Sequence, residues 1–188
     1  MLVGLVAVPN AGAAVSTCTY NASTKVVTMT MVEEFGAQVS RSGNAIQYIA
    51  SNNLIPCGAA TVKNTKRIDI KGTGASADTI SANYVTIDLQ GGVLGPGSKA
   101  EATGKSEIEI RVAVVPGIDP FFPNPPFPIA LSYVGTKRSD KLIVGEKGLD
   151  LNGDGDVDVT TTLTPFGLYS FYGTGGNDVL SAGGNTNV

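Results

Sequence analysis

Five oxygen-bearing side chains stand at alternate positions late in the chain: Asp150, Asn152, Asp154, Asp156 and Asp158, with Gly153 and Gly155 between them. Carboxylate and amide oxygens are hard ligands, so calcium is the ion that this set suits. On an extended strand all five would share one face, where neighbouring like charges are unfavourable unless a cation or water offsets them. Wrapped as a loop, the stretch reads D-x-N-x-D-G-x-x-D and matches positions 1, 3, 5, 6 and 9 of an EF-hand calcium loop, with Gly155 at the sharp turn. Position 12, where that loop carries a bidentate Glu, is Thr161, and the flanks alternate as strands and not helices. An EF-hand domain is therefore rejected. A calcium loop and a solvated acidic turn both stand as readings.

Three glycine-associated Asp turns accompany it. Gly173-Thr-Gly-Gly-Asn-Asp178-Val-Leu180 is echoed by Gly135-Thr-Lys-Arg-Ser-Asp140-Lys-Leu142, and more loosely by Thr73-Gly-Ala-Ser-Ala-Asp78-Thr-Ile80. Glycines permit left-handed turns and bring carbonyls close together, the Asp supplies an anionic oxygen, and the aliphatic two residues later points into a core. Asp178 is the best placed of the three to hold an ion. Gly173 and Gly175 offer carbonyls, and Asn187, nine residues on, offers the oxygen of a following turn. Asp78, Asp140 and Asp178 stand 62 and 38 residues apart, which predicts that most of these turns lack a neighbouring turn to share an ion. The alternative is an Asp hydrogen-bonded to nearby backbone amides.

The elements that position these residues read as short strands. Thr19-Tyr20 and Lys25–Met31 flank a turn at Asn21–Thr24, and Gln38–Ser40 and Ala45–Ile49 flank one at Arg41–Asn44, which predicts two antiparallel hairpins. Arg67–Lys71 alternates, with Ile68 and Ile70 on one face and Asp69 on the other. Residues 15–72 are thus expected to form an N-terminal β cap, and residues 73–188 a repeat region. Within that region Tyr84–Leu89 is a short strand, and Glu107–Val114 alternates cleanly, with Ile108, Ile110, Val112 and Val114 inward. Six prolines and three phenylalanines fill residues 116–128, which cannot join a ladder. Phe121, Phe122 and Phe127 either offer a contact surface to a protein or cell-surface partner or fold back over a sheet edge.

Composition removes many chemistries. Histidine is absent, which excludes every triad or dyad built on imidazole and the commonest metal ligand. No P-loop and no G-x-S-x-G elbow is present, so an enzyme is not expected. Net charge is −3, and the 13 Lys and Arg are scattered along the chain, so no basic face for nucleic acid or anionic membrane is indicated. With 24 glycines and no Trp the composition favours turn-rich β structure. Cys18 and Cys57 are too few for a structural zinc site, and they read as one disulfide or, alternatively, as two buried thiols. Residues 1–14 are apolar and reach a small-x-small site at Ala11-Gly-Ala13, as a secretory leader does, although no basic residue precedes the run. A buried first strand is the other reading. No stretch is long and apolar enough for a transmembrane helix.

Taken together, these motifs resemble those of secreted bacterial RTX, or haemolysin-type, calcium-binding repeat proteins, in a degenerate form. Cys18-Thr-Tyr-Asn-Ala22, Val39-Ser-Arg-Ser-Gly43, Cys57-Gly58, the two Gly-Thr-x-x-x-Asp-x-Leu boxes and Leu151-Asn-Gly-Asp-x-Asp156 carry the resemblance. It implies an all-β fold, a parallel β-roll or β-helix with an N-terminal antiparallel hairpin cap, together with extracellular location and folding stabilised by calcium. The expected function is that of a non-catalytic calcium-binding β-solenoid. An extracellular adhesive or surface-layer module with empty Asp turns is the alternative, and the repeat-bearing part of a larger secreted hydrolase is a further one.

Overall fold

A computed structural model describes residues 17–31, 36–50, 53–72, 84–100, 105–114, 129–145, 148–161 and 166–182. The leader proposed for residues 1–14, Asp78, the Pro/Phe stretch 116–128 and Asn187 lie outside the described residues. Among those described, all regular structure is strand. In chain order the strands are β1 (Thr17–Asn21), β2 (Val26–Met31), β3 (Ala37–Ser42), β4 (Ala45–Ala50), β5 (Asn53–Thr61), β6 (Arg67–Gly72) and β7 (Tyr84–Asp88). They continue as β8 (Glu109–Val114), β9 (Ile129–Val134), β10 (Lys141–Gly145), β11 (Gly148–Asp150), β12 (Val159–Thr161), β13 (Phe166–Tyr172) and β14 (Val179–Ala182).

Both predicted hairpins form, and local chemistry turns them. Asn21 Oδ1 accepts the amides of Ser23 and Thr24, each at 3.0 Å, and Lys25 then takes φ 58°, which closes β1 onto β2. Gly43, at φ 57°, does the same between β3 and β4. The strands then sort into two mixed sheets. One has eight strands in the order β1-β2-β6-β8-β12-β11-β10-β14, and the other has six in the order β13-β9-β7-β3-β4-β5.

Most long pairings are parallel. In the first sheet β2 pairs with β6, β6 with β8, β8 with β12, and β10 with β14; in the second β3 pairs with β7, β7 with β9, and β9 with β13. The chain therefore alternates between sheets, from β2 to β3, β6 to β7, β8 to β9 and β12 to β13. Parallel neighbours need a long crossover, usually a helix. Here each crossover contains a strand of the other sheet.

That arrangement explains why parallel strands read as half-exposed ones. Parallel sheets covered by helices on both faces give continuous apolar runs. Here only one face is covered, so Val27, Met29 and Met31, then Ile68 and Ile70, then Ile108, Ile110, Val112 and Val114 are buried while their neighbours are not. The second sheet contributes Val39, Val85, Ile87, Leu131 and Tyr133 to the same hydrophobic cluster. The cap expected over residues 15–72 is not a separate sheet, because β6, inside that range, pairs with β8 outside it. The antiparallel elements also extend beyond the N-terminal region: β10, β11 and β12 form a meander within the first sheet.

Candidate functional site

Two acidic sites take shape on this frame. The first stacks the two Gly-Thr boxes. Because β9 pairs with β13 and β10 with β14, the corner Gly135–Asp140 lies on the corner Gly173–Asp178, and Lys141 stands opposite Val179. Over the 38 residues from Asp140 to Asp178 the chain leaves the first sheet for β13 and returns to pair β14 with β10. The intervals along the sequence predict turns without neighbours; these two are neighbours, because the parallel pairings of β9 with β13 and β10 with β14 join segments far more than nine residues apart.

Within the stack both carboxylates serve the backbone. Asp140 Oδ2 accepts the Thr136 amide at 2.7 Å and Oδ1 accepts the Thr136 hydroxyl at 2.9 Å. Asp178 Oδ1 accepts the Asp140 amide of the preceding circuit at 3.0 Å, and the Thr174 hydroxyl donates to the Gly135 carbonyl at 3.0 Å. The glycines are required for this. A Cβ on Gly135 would sit 2.6 Å from Asp140 Oδ2, and one on Gly173 would sit 2.2 Å from Asp178 Oδ2. Asp140 thus caps its own turn, and Asp178 bonds across to the turn stacked on it.

A cavity of about 50 Å³ lies beside the stack, lined by Tyr133, Phe171, Leu142, Leu180 and the two Asp residues. The Tyr133 hydroxyl, buried there without a hydrogen-bond partner, is pushed well above its ordinary pKa, chiefly by burial and then by Asp140 and Asp178. If the boxes act as caps, Asp140→Ala should lower the unfolding free energy by about 2 kcal/mol, the loss of two charge-assisted hydrogen bonds in a half-buried turn. Urea unfolding should give the same loss in EDTA and in calcium.

The second site is the loop between β11 and β12. Asp150, 6% exposed, is enclosed by amides: Oδ1 accepts from Asn152 at 3.2 Å, Gly153 at 2.5 Å and Asp154 at 3.3 Å, and Oδ2 from Gly155 at 2.9 Å. Gly153 at φ 71° and Gly155 at φ 99° supply the curvature that turns those amides inward. Asp154 Oδ2 accepts the Lys105 amide at 2.6 Å, and this bond holds its pKa below the usual range. Lys141 Nζ reaches the Gly153 carbonyl at 3.0 Å.

Asp158 differs from the others. It is 2% exposed, its Oδ2 accepts the Leu151 amide at 2.6 Å, and its carboxyl shares a hydrogen bond with Glu107. Burial first, and then Glu107 and Asp150, push its pKa up to about 9, so at neutral pH this pair holds a proton. Asn152 Nδ2 donates to Glu107 Oε1, while Asn152 Oδ1 is buried with no donor. Glu109 is also raised, by burial and then by Asp156.

Sequence reasoning missed Glu107 as a site residue. It stands 45 residues before Asn152 and read as the solvent side of an alternating strand. Only the parallel register of β8 against β12, with Ile110 opposite Val159, brings that segment to the loop.

Among the described residues no three Asp, Glu or Cys side chains converge as a ready metal cage. Asp140 and Asp150 each accept two or more donors, and Asp178 Oδ1 accepts one amide. The Glu107–Asp158 carboxyl contact lies beside Asn152, whose Oδ1 has no hydrogen-bond partner. No family model, curated protein or solved structure matches this chain.

Proposed function

We propose that the protein is a secreted, non-catalytic β-solenoid of β-roll type, in which calcium is a structural ion bound at the β11–β12 loop. The observation that carries this reading is the contact of the buried Asp158 carboxyl with the half-buried Glu107 carboxyl, beside an Asn152 oxygen without a donor. Two carboxyls in contact, one of them buried, favour either a shared proton or a cation. Calcium accepts six to eight hard oxygens and would replace the proton, with Glu107, Asp158 and Asn152 Oδ1 as ligands. The remaining charge of Glu109, Asp150 and Asp156 favours a divalent ion over a monovalent one. The Gly-Asp boxes, by contrast, are architectural, and they stack successive circuits. The alternation of strands between two sheets supports the solenoid, and the Cys18–Cys57 disulfide is what an oxidising, extracellular setting produces.

Binding only to the folded chain raises stability by mass action. Thermal unfolding in EDTA, in millimolar calcium and in equal magnesium tests the reading. Calcium should raise Tm by several degrees and magnesium by much less, and Glu107→Gln or Asp158→Asn should abolish the rise while Asp178→Asn preserves it. Superimposable curves for the unaltered protein would reject structural calcium. A rise lost only with Asp178→Asn would move the ion to the boxes.

A further inference from the structure

We infer that the groove between Arg41, the Gly91-Gly92 turn and the corner Lys137-Arg138 binds an anionic oligosaccharide, one bearing carboxylate or sulfate groups. This goes beyond the calcium reading and does not depend on it. The groove encloses about 430 Å³, within the size range of small-ligand sites. Its walls come from the end of β3 and from the segments that follow β7 and β9, and these are neighbouring parallel strands of the second sheet. Consecutive circuits are about 4.8 Å apart along the stack, so the groove runs across the circuits and suits an extended chain more than a compact ion.

Charge within it contrasts with the whole. The chain is net −3, yet three cations meet here. Among the described residues no carboxylate forms an ion pair with any of the three. Asp140 lines the groove too, but its oxygens are held by Thr136.

Arg41 is set in place before any ligand arrives. Its Nε donates to the Gly43 carbonyl at 2.8 Å and its Nη1 to the Val93 carbonyl at 2.7 Å, which leaves further guanidinium donors uncommitted. Glycine makes the room between the cations. A Cβ on Gly91 would stand 2.0 Å from the Arg41 carbonyl oxygen, and one on Gly92 would stand 3.5 Å from Arg41 Cζ. With no side chain on that turn, the guanidinium and the Lys137-Arg138 corner face a common space. A fixed guanidinium favours planar carboxylate or sulfate groups. Ser139 and Gln90 add polar groups suited to sugar hydroxyls. The disulfide suits an oxidising setting outside the cell, where polysaccharides are abundant polyanions, and to that extent the choice of ligand rests on the proposed secretion.

Isothermal titration of the full chain tests this with tetragalacturonate, its fully methyl-esterified neutral counterpart, a sulfated tetrasaccharide, inorganic sulfate and a short single-stranded DNA. At least one charged tetrasaccharide should bind ten-fold or more tighter than the neutral one, and its binding should weaken as salt rises. The double variant Lys137→Ala/Arg138→Ala removes only exposed side chains, so Tm should hold while affinity for that glycan falls ten-fold or more. Equal binding of the neutral sugar, or affinity untouched by the double variant, would overturn the proposal. So would binding of sulfate alone, or tighter binding of DNA than of either glycan.

Discussion

Raising the pH of the metal-free protein from 5 to 9 should lower its unfolding temperature steadily, and Asp158→Asn should remove most of that slope. The folded-state pKa of Asp158 is raised to about 9, whereas an unfolded carboxyl titrates near 3.8. The folded chain therefore keeps a proton that the unfolded chain has released. That contribution is complete below about pH 4 and is lost as the pH climbs to about 9, at no more than about 1.4 kcal/mol per pH unit. Glu109 is shifted in the same direction and adds to the slope. Asp154 is shifted the other way, so its effect falls in the acid range, outside the window. An Asn at 158 can donate to Glu107 without titrating, so the variant should be more stable than the parent at pH 8 in EDTA. In calcium the order should reverse, because the ion and the proton compete for one site. Differential scanning calorimetry across this range reads all of these effects, and a flat profile for the metal-free parent would remove the buried-pair account of the loop.

Breaking the disulfide should destabilise the chain by about 4 kcal/mol, which lowers Tm by roughly 10 °C for a protein of this size. The bond spans 39 residues in sequence and brings two Cα atoms to 5.1 Å. It joins Cys18 on β1, the outer strand of the eight-stranded sheet, to the fully buried Cys57 on β5, the outer strand of the six-stranded sheet. One end of the two-sheet stack is therefore tied covalently where its strands have no further neighbour. Calorimetry with and without reductant, alongside a Cys18→Ala/Cys57→Ala variant, measures the loss. Hydrogen exchange should rise first in β1 and β5, and an unchanged Tm would show that the core alone holds the sheets together.

Much of the fold was readable from local pattern. Alternation at Ile68 and Ile70 and from Ile108 to Val114 identified the buried face of each strand, because period two is the geometry of a strand with one covered side. Asn21 and Gly43 announced their hairpins through side-chain capping and a left-handed turn. The cysteine pair followed from a count of two and the absence of metal spacing, and the disulfide is formed. The acidic loop was recognised as a unit because its members are contiguous.

What lay between distant segments was not readable. Asp140 and Asp178 carry the same phrase, but only the pairing of β9 with β13 and β10 with β14 makes them neighbours. Strand order and circuit length are set by long-range packing, which leaves no periodic trace when circuits differ in length. Glu107 met Asn152 in the β11–β12 loop, and Arg41 joined Lys137 and Arg138, for the same reason. Their charges looked scattered because sequence distance, and not distance across parallel strands, was all that could be seen. The chain by itself determined the element type, the inward faces, the turn chemistry and the exclusion of imidazole catalysis, since these depend on residue identity and near neighbours. Tertiary structure alone decided which carboxylates became turn caps, which one was buried into a proton-holding pair, and where positive charge gathered, because burial and pairing are properties of the assembled sheets.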